Sequence, residues 1–372
     1  DAAPGQDGGD DDAAADDGTT PMDAGPDSGA DAGPDGGADA GPDGGVDAGP
    51  DSCVADCTGR ECGSNGCGGS CGVCNWAEVD TCTASGQCVC GTTGSSCPSG
   101  NECVAGECYD PCGDPDVIPT FQHGSWNPVL TPRASTTDHG SDNIYAPAIL
   151  KLSANLYLMW YGGQGSDGHD RIFVASSTDG HHFHHYPADD APQAVVDCGS
   201  SNHVNDPSVV EVGGTFYMYY TEAPVAEDDR IHLAVSQDGI NWSKQGLVID
   251  VGAAGTWDDF KVGRPAVFYT NSTFYVYYDG NDGTNRHVGL ATSANGYNFT
   301  KHGDNPLVLH AGAVDVQRVE GGSQPTVVML RESQNGVYAH TSGDGLNFCN
   351  QGQIATLSGD GWDAYGHVTP FI

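Results

Sequence analysis

Residues 205–242 read NDPSVVEVGGTFYMYYTEAPVAEDDRIHLAVSQDGINW, and they hold one nearly complete structural unit. Three short runs rich in aromatic and β-branched residues are separated by Gly, Asp and Pro, the pattern of strands and turns. Asn205-Asp206-Pro207 opens the first run, Thr215 the second and Arg230 the third, after which an Asp-Gly turn leads to Trp242. The same order recurs on both sides. Apolar runs follow Pro147 (IYAPAIL), Pro207 (NDPSVVE), Pro265 (GRPAVFY) and Pro325 (SQPTVVM). Second runs read LYLMWYGG, TFYMYYTE and TFYVYYDG, with the fourth degenerate. Third runs RIFVASS, RIHLAVS, RHVGLATS and GVYAHTS lead into STDGHHF, SQDGINW, SANGYNF and SGDGLNF. Intervals of 60, 58 and 60 residues between the prolines give room for four strands per unit, as in a propeller blade.

The repeated positions have structural purposes. Proline at the start of an innermost strand faces the central channel, where no neighbour needs its missing N–H. Asp-Gly or Asn-Gly supplies the positive φ of a tight hairpin. The Trp or Phe three residues beyond that Gly is expected to pack between blades. Buried packing also accounts for the Tyr-rich second strands better than stacking on sugars does. A fifth unit begins at GWDAYGHVTPFI, where Trp362, Asp363 and Pro370 repeat the spacing of Trp257, Asp258 and Pro265. Near the N-terminal side, FQHGSWNPVLTP looks like a blade's last hairpin and outer strand, suited to closing the ring. The middle strands of that blade do not occur. The expectation is therefore an all-β chain whose residues 134–372 form a five-bladed β-propeller, its last blade truncated because the chain is a piece of a longer protein.

Two unlike regions precede the repeat. Residues 1–52 carry 15 Asp and no Lys or Arg, and from Asp23 they repeat DAGPDSGA, DAGPDGGA, DAGPDGGV. Such a segment buries too little apolar surface to offset its ordering entropy, so a disordered spacer is expected. Calcium capture is the alternative, but calcium needs carboxylates converging on one rigid loop. Residues 53–112 hold 13 of the 15 Cys, a disulfide scaffold in an oxidising compartment. Cys71-Gly-Val-Cys74 has zinc-ligand spacing, yet the region contains no His and lacks two matched pairs. An odd number of Cys leaves one to pair elsewhere or stay free. The stretch GRECGSNGCGGSCGVC resembles short modules that follow Asp/Pro-rich spacers in bacterial secreted proteins, which implies a surface stalk. Residues 113–133 form a linker that includes the candidate ring-closing strand.

The 51 Asp and Glu against 12 Lys and Arg, net −39, exclude nucleic acid as a partner, since phosphate binding needs clustered basic residues. No apolar run reaches the roughly 18 residues of a membrane helix. The chain opens on Asp1 rather than Met, as an exported chain does after processing. Secretion, or display on the outer face of a bacterial envelope, is expected; a lipid anchor upstream of Asp1 is compatible with it. A monomer acting on an oligo- or polysaccharide fits these features.

Asn205-Asp206-Pro207, Tyr145-Ala146-Pro147 and the DG-x-N-W/F turns carry a resemblance to the five-bladed propellers of the glycoside hydrolase family 43 and 32 group, over about 230 residues. The resemblance implies a hydrolase of O-glycosyl bonds whose inner-strand heads point carboxylates into a central funnel. Independently, glycoside hydrolysis needs two carboxylates across the sugar, one of them protonated. Asp206 is the first candidate, as the one acid directly before an inner-strand proline. Where the family carries Trp-Ala-Pro-Asp, this chain has Tyr145-Ala146-Pro147-Ala148; where it carries Glu-Gly-Pro, this chain has Gly263-Arg264-Pro265. Glu320 and Asp142 are the remaining catalytic candidates, with Asp258 and Asp363 also preceding inner strands. Arg264 either binds a substrate carboxylate or sulfate or neutralises Asp206. Tyr145, Asn205, Gln324 and Asp258 complete the candidate substrate contacts. No cofactor is required, but the resemblance implies a structural Ca2+ or other cation at the axis, with His203 and His367 as candidate supports. The HHFHH run at residues 181–185 offers alternating faces and is read as solvated surface. A non-catalytic glycan-binding or adhesion propeller is the alternative function, because fold alone does not choose activity.

Overall fold

A computed structural model describes residues 81–82, 87–89, 102–104, 107–121, 124–132, 143–165, 167–199, 201, 203–225, 228–333, 336–357 and 369–372. The spacer, most of the Cys-rich module, Asp142, Trp362, Asp363 and His367 lie outside the described residues. Two short hairpins belong to the module, Thr81–Cys82 with Cys88–Val89 and Glu102–Val104 with Glu107–Tyr109.

The chain is an all-β propeller. Among the described residues there are four blades rather than the expected five, each an antiparallel meander running outward from the axis. The first comprises Asn143–Ser153, Leu156–Gln164, Asp170–Ser177 and His184–His185. The second comprises His203–Val212, Thr215–Ala223, Arg230–Ser236 and Ser243–Ile249. The third comprises Lys261–Thr270, Thr273–Asn281, Arg286–Ser293 and Thr300–Lys301, extended by Val308–Leu309. The fourth comprises Val314–Val319, Thr326–Ser333, Gly336–Ser342 and Cys349–Thr356.

The fourth blade corrects the sequence phasing. Its inner strand is Val314–Val319, and the run after Pro325 is its second strand. A proline-headed apolar run satisfies strand chemistry at either place, and only pairing decides which backbone lies innermost.

The core lies between blades. Aromatics of one blade's second strand reach the hairpin turn of the next: Trp160 Nε1 donates to the Gly239 carbonyl (2.7 Å), Tyr219 Oη to Gly296 (2.9 Å) and Tyr277 Oη to Gly345 (2.7 Å). The ring three residues beyond each Gly packs edge-on against the same aromatic: Trp242 on Trp160, Phe299 on Tyr219 and Phe348 on Tyr277. Gly239 illustrates why glycine stands in these turns, since its φ is +74° and a Cβ there would meet Trp160 at 2.9 Å. These contacts explain the aromatic columns of the repeat as inter-blade packing.

The segment before the propeller is fastened to it at two places. Cys112 is disulfide-bonded to Cys349 on the fourth blade's outer strand, 237 residues away. Asp110 and Gln324 exchange hydrogen bonds, and Asp114 accepts from Ser323 N (2.6 Å) and Oγ (2.8 Å). Farther along, Val129 and Leu130 pack on the first blade's Met159, Tyr161, Phe173 and Phe183, while His185 Nε2 meets the Thr131 carbonyl at 3.0 Å. The segment therefore touches both the fourth and the first blade. Removing this long-range crosslink frees a large loop in the unfolded chain, so Cys349→Ser is expected to lower stability by about 2–4 kcal/mol. Chemical denaturation of the two proteins without reductant checks this; equal midpoints would show that the tether contributes nothing.

Candidate functional site at the propeller axis

The four inner strands share a backbone feature at or near their starts, and Thr369 repeats it. Ala146, Asp206, Arg264, Ala313 and Thr369 have φ of 49°, 49°, 45°, 46° and 47°. Such left-handed values are costly for residues with a Cβ, of order 1–3 kcal/mol each, and persist only where surroundings enforce them. In the first three blades the strand ladder skips the strained residue and its proline, with register shifts at Tyr145/Ala148, Tyr219/Thr221 and Gly263/Ala266. All five strained residues, with Pro147, Pro207, Ser208, Pro265, Asp315 and Phe371, line one axial cavity of about 30 Å³. That is room for roughly one water.

A second device links these heads around the axis. The residue late in one blade's second strand accepts the backbone N–H of the next blade's strained head. Arg264 N donates to Thr221 Oγ1 (2.9 Å), Ala313 N to Asp279 (3.0 and 2.9 Å) and Thr369 N to Glu332 Oε2 (3.1 Å). Thr369 Oγ1 in turn accepts from Ala146 N (3.0 Å), which joins the fourth blade to the first. Phe371 packs on the core between the first two blades, and Ile372 on the fourth-blade cluster. The first blade has Gly162 at the accepting position, and the Tyr145 ring covers the space a side chain would fill.

The axis is consequently rich in carboxylates. Asp206 is 9 % exposed, and burial pushes its carboxyl up to about 6 against the pull of Arg264 and the Thr221 hydroxyl, which donates at 3.2 Å. Asp315, 6 % exposed, is likewise pushed up to about 6 by burial, although Ile372 N donates to it at 2.8 Å. Burial also raises Asp279 and Glu332, opposed by Arg264. Arg264 Nη1 lies 3.4 Å from Asp279 Oδ2, and Arg286 lies 3.8 Å from Asp279 and 3.6 Å from Glu332.

A raised carboxylate pKa means that the folded state holds a proton which the unfolded chain releases near pH 4. Stability is therefore greatest below pH 4 as far as these groups are concerned, and falls as pH rises through about 6. Asp315→Asn keeps an acceptor for Ile372 and removes the buried charge. It is expected to stabilise the protein by about 2 kcal/mol at pH 7 and by little at pH 4. Melting curves at the two pH values check this, and an Asn variant destabilised at pH 7 would contradict it.

The structure sorts the sequence candidates. Asp206 and Arg264 meet at the axis. Tyr145 and Asn205 lie beside them at the junction of the first two blades, where Asn205 Nδ2 reaches Tyr145 Oη (3.3 Å) and Asp170 Oδ2 (3.5 Å). His203 pairs with Asp170 at 2.9 Å, a hydrogen bond that raises the imidazole pKa. Among the described residues no three His, Cys, Asp or Glu are grouped to hold a metal ion. Glu320 is not brought to the axis: its side chain is 64 % exposed and pairs with Arg318 at 2.6 Å, because it follows the fourth inner strand rather than heading it. Gln324 binds Asp110 for the same reason of phasing. Asp258 is 2 % exposed but is spent on Lys301 (2.6 Å), Tyr278 and Thr256 away from the cavity lining. In the HHFHH run, His182 and His184 pair with Asp179 and Asp189 at the surface, and His185 is buried against Tyr161.

No protein-family model matches the chain, and no curated protein matches its sequence. Solved structures do match. Zg3597, a family 117 glycoside hydrolase from the marine bacterium Zobellia galactanivorans, superposes with a TM-score of 0.50 at 17 % identity, over 62 % of this chain and 74 % of that one. A glycosyl hydrolase from Bacteroides ovatus gives 0.50 at 17 % identity, over 63 % and 80 %. The likeness is one of fold: this chain shares the β-propeller architecture of these two structures. In this propeller, sequence reasoning missed Thr221, Asp279, Glu332, Arg286 and Thr369. A signal for two of them existed in the aligned second runs, where Gly162, Thr221 and Asp279 occupy one variable column beside constant aromatics. Glu332 lies in the run after Pro325, which the proline spacing reads as an inner strand, and that phasing hid its equivalence.

Proposed function

We propose that this chain is an exported glycan-active protein whose axial site hydrolyses O-glycosyl bonds, with Asp206 as proton donor. The observation that carries the reading is Asp206 itself: a buried carboxyl in strained backbone at the cavity, its proton retained to about pH 6. A general acid needs that environment, and a second carboxylate must work across the sugar from it. Glu332 is the candidate for that second group, since its side chain is 23 % exposed, whereas Asp279 is 8 % exposed and gives both oxygens to Ala313 N–H. Kinship with the family 43 and 32 group, and a fifth blade position completed around Thr369, belong to the same reading. Thr369 supports it by bonding both neighbouring blades.

One observation favours a second reading. Arg264 stands beside Asp206 and the cavity holds only about 30 Å³, an arrangement suited to a glycan-binding surface without turnover. A hydrolysis panel of oligosaccharides, run with the wild-type chain and with Asp206→Asn and Glu332→Gln, separates the two. Turnover lost in both variants supports the hydrolase; binding without turnover in the wild type supports the second reading.

A further inference from the structure

We propose that the axial site selects an anionic sugar, bearing a carboxylate or a sulfate ester, and that Arg264 and Arg286 together receive the oxyanion. This rests on the glycan-active reading above. The chain has only 12 Lys and Arg against 51 Asp and Glu, yet two arginines of the third blade converge on one atom. Arg264 Nη1 and Arg286 Nε lie 3.4 and 3.8 Å from Asp279 Oδ2, so both guanidiniums approach the same carboxylate oxygen. Arg264 lines the cavity, and both side chains are 35 % exposed. Gly312 seats the second of them, since a Cβ at that position would collide with Arg286 Cδ.

Each guanidinium carries five N–H donors. Among the described residues, Arg264 spends its guanidinium on one hydrogen bond of 3.4 Å, to Asp279. Arg286 has only the long ion pairs at 3.8 Å to Asp279 and 3.6 Å to Glu332. The two acids place their short bonds elsewhere: Asp279 on Ala313 N–H at 3.0 and 2.9 Å, Glu332 on Thr369 N–H at 3.1 Å. The carboxylates thus anchor the arginines without consuming their forks. An open planar fork matches a carboxylate or sulfate bidentately, and two forks gathered at one carboxylate discriminate against a neutral hydroxyl.

The test is calorimetric titration of the full chain with an oligogalacturonide, a sulfated galactan oligosaccharide and a neutral galactan oligosaccharide of equal length. At least one acidic probe is expected to bind about tenfold or more tightly than the neutral one. Arg286→Gln should remove that margin, and Arg286→Lys, which keeps the charge but not the fork, should remove most of it. Equal affinity for acidic and neutral probes, or a margin that survives Arg286→Gln, overturns the anion assignment and leaves the glycan reading standing. If none of the three glycans binds, inorganic sulfate decides. An Arg286-dependent rise in melting temperature keeps the anion site and removes the glycan reading, and no rise overturns both.

Discussion

Asp206→Asn is expected to reduce kcat/KM on the cleaved glycan by about 10²–10⁴-fold, the usual contribution of a positioned general acid. The substitution is nearly isosteric and keeps an oxygen for the Thr221 hydroxyl now 3.2 Å away, so the fold should survive. At pH 7 the variant should melt no lower than the wild type, because it no longer buries a charge whose pKa burial has raised to about 6. The sign of the pH dependence follows from the role. A donor must hold its proton, so wild-type kcat/KM should fall as pH rises through about 6, and that limb should vanish in the Asn variant. A pH–rate profile measures both. Unchanged turnover in Asp206→Asn would remove the proposed donor, and an activity loss accompanied by a collapsed melting temperature would assign Asp206 to structure instead.

Trp160→Ala carries the largest expected cost in stability, about 3–5 kcal/mol. The indole is fully buried between the first two blades and packs against Phe216 and Trp242 at 6.0 and 5.9 Å between ring centroids. Truncation leaves a cavity in the core between these blades and removes the 2.7 Å hydrogen bond to the Gly239 carbonyl, which then keeps only its 3.0 Å bond from Trp242 Nε1. Trp160→Phe separates the two effects: it keeps most of the packing and loses the hydrogen bond, a cost of about 1–2 kcal/mol. Urea denaturation of the three proteins gives the comparison. A loss below about 1 kcal/mol for Trp160→Ala would mean that the blades do not depend on this junction.

The legible part of the protein is the part that local chemistry controls. Strand runs, Asp-Gly turns and the aromatics three residues beyond them announce themselves in a few neighbouring residues, and the turn-to-aromatic bonds of Trp160, Tyr219 and Tyr277 follow from that repetition. The odd count of cysteines in residues 53–112 is legible in the sequence, but the partner of Cys112 is not. Cys112 meets Cys349 only after four blades have been laid down between them. The illegible part consists of contacts between elements far apart in the chain. The phase of the fourth blade depended on which strand pairs innermost, and with it went Glu320 and Gln324, two candidates chosen from a position that the pairing moved away from the axis.

From sequence alone, then, this chain is determined to be a repeat of four-stranded β units with Asp206 and Arg264 singled out by departing from their counterparts. Repetition makes each unit a control for the others, so a substituted column stands out without any coordinates. The tertiary structure alone decided that four blades are present among the described residues, that Thr369 bonds both the fourth and the first blade, and that Asp279, Glu332 and Arg286 cluster with Arg264. The reason is geometric: the second, third and fourth blades each hand a second-strand side chain to the next strained backbone position, and the partner of such a bond is set by how whole blades pack rather than by any local run of residues.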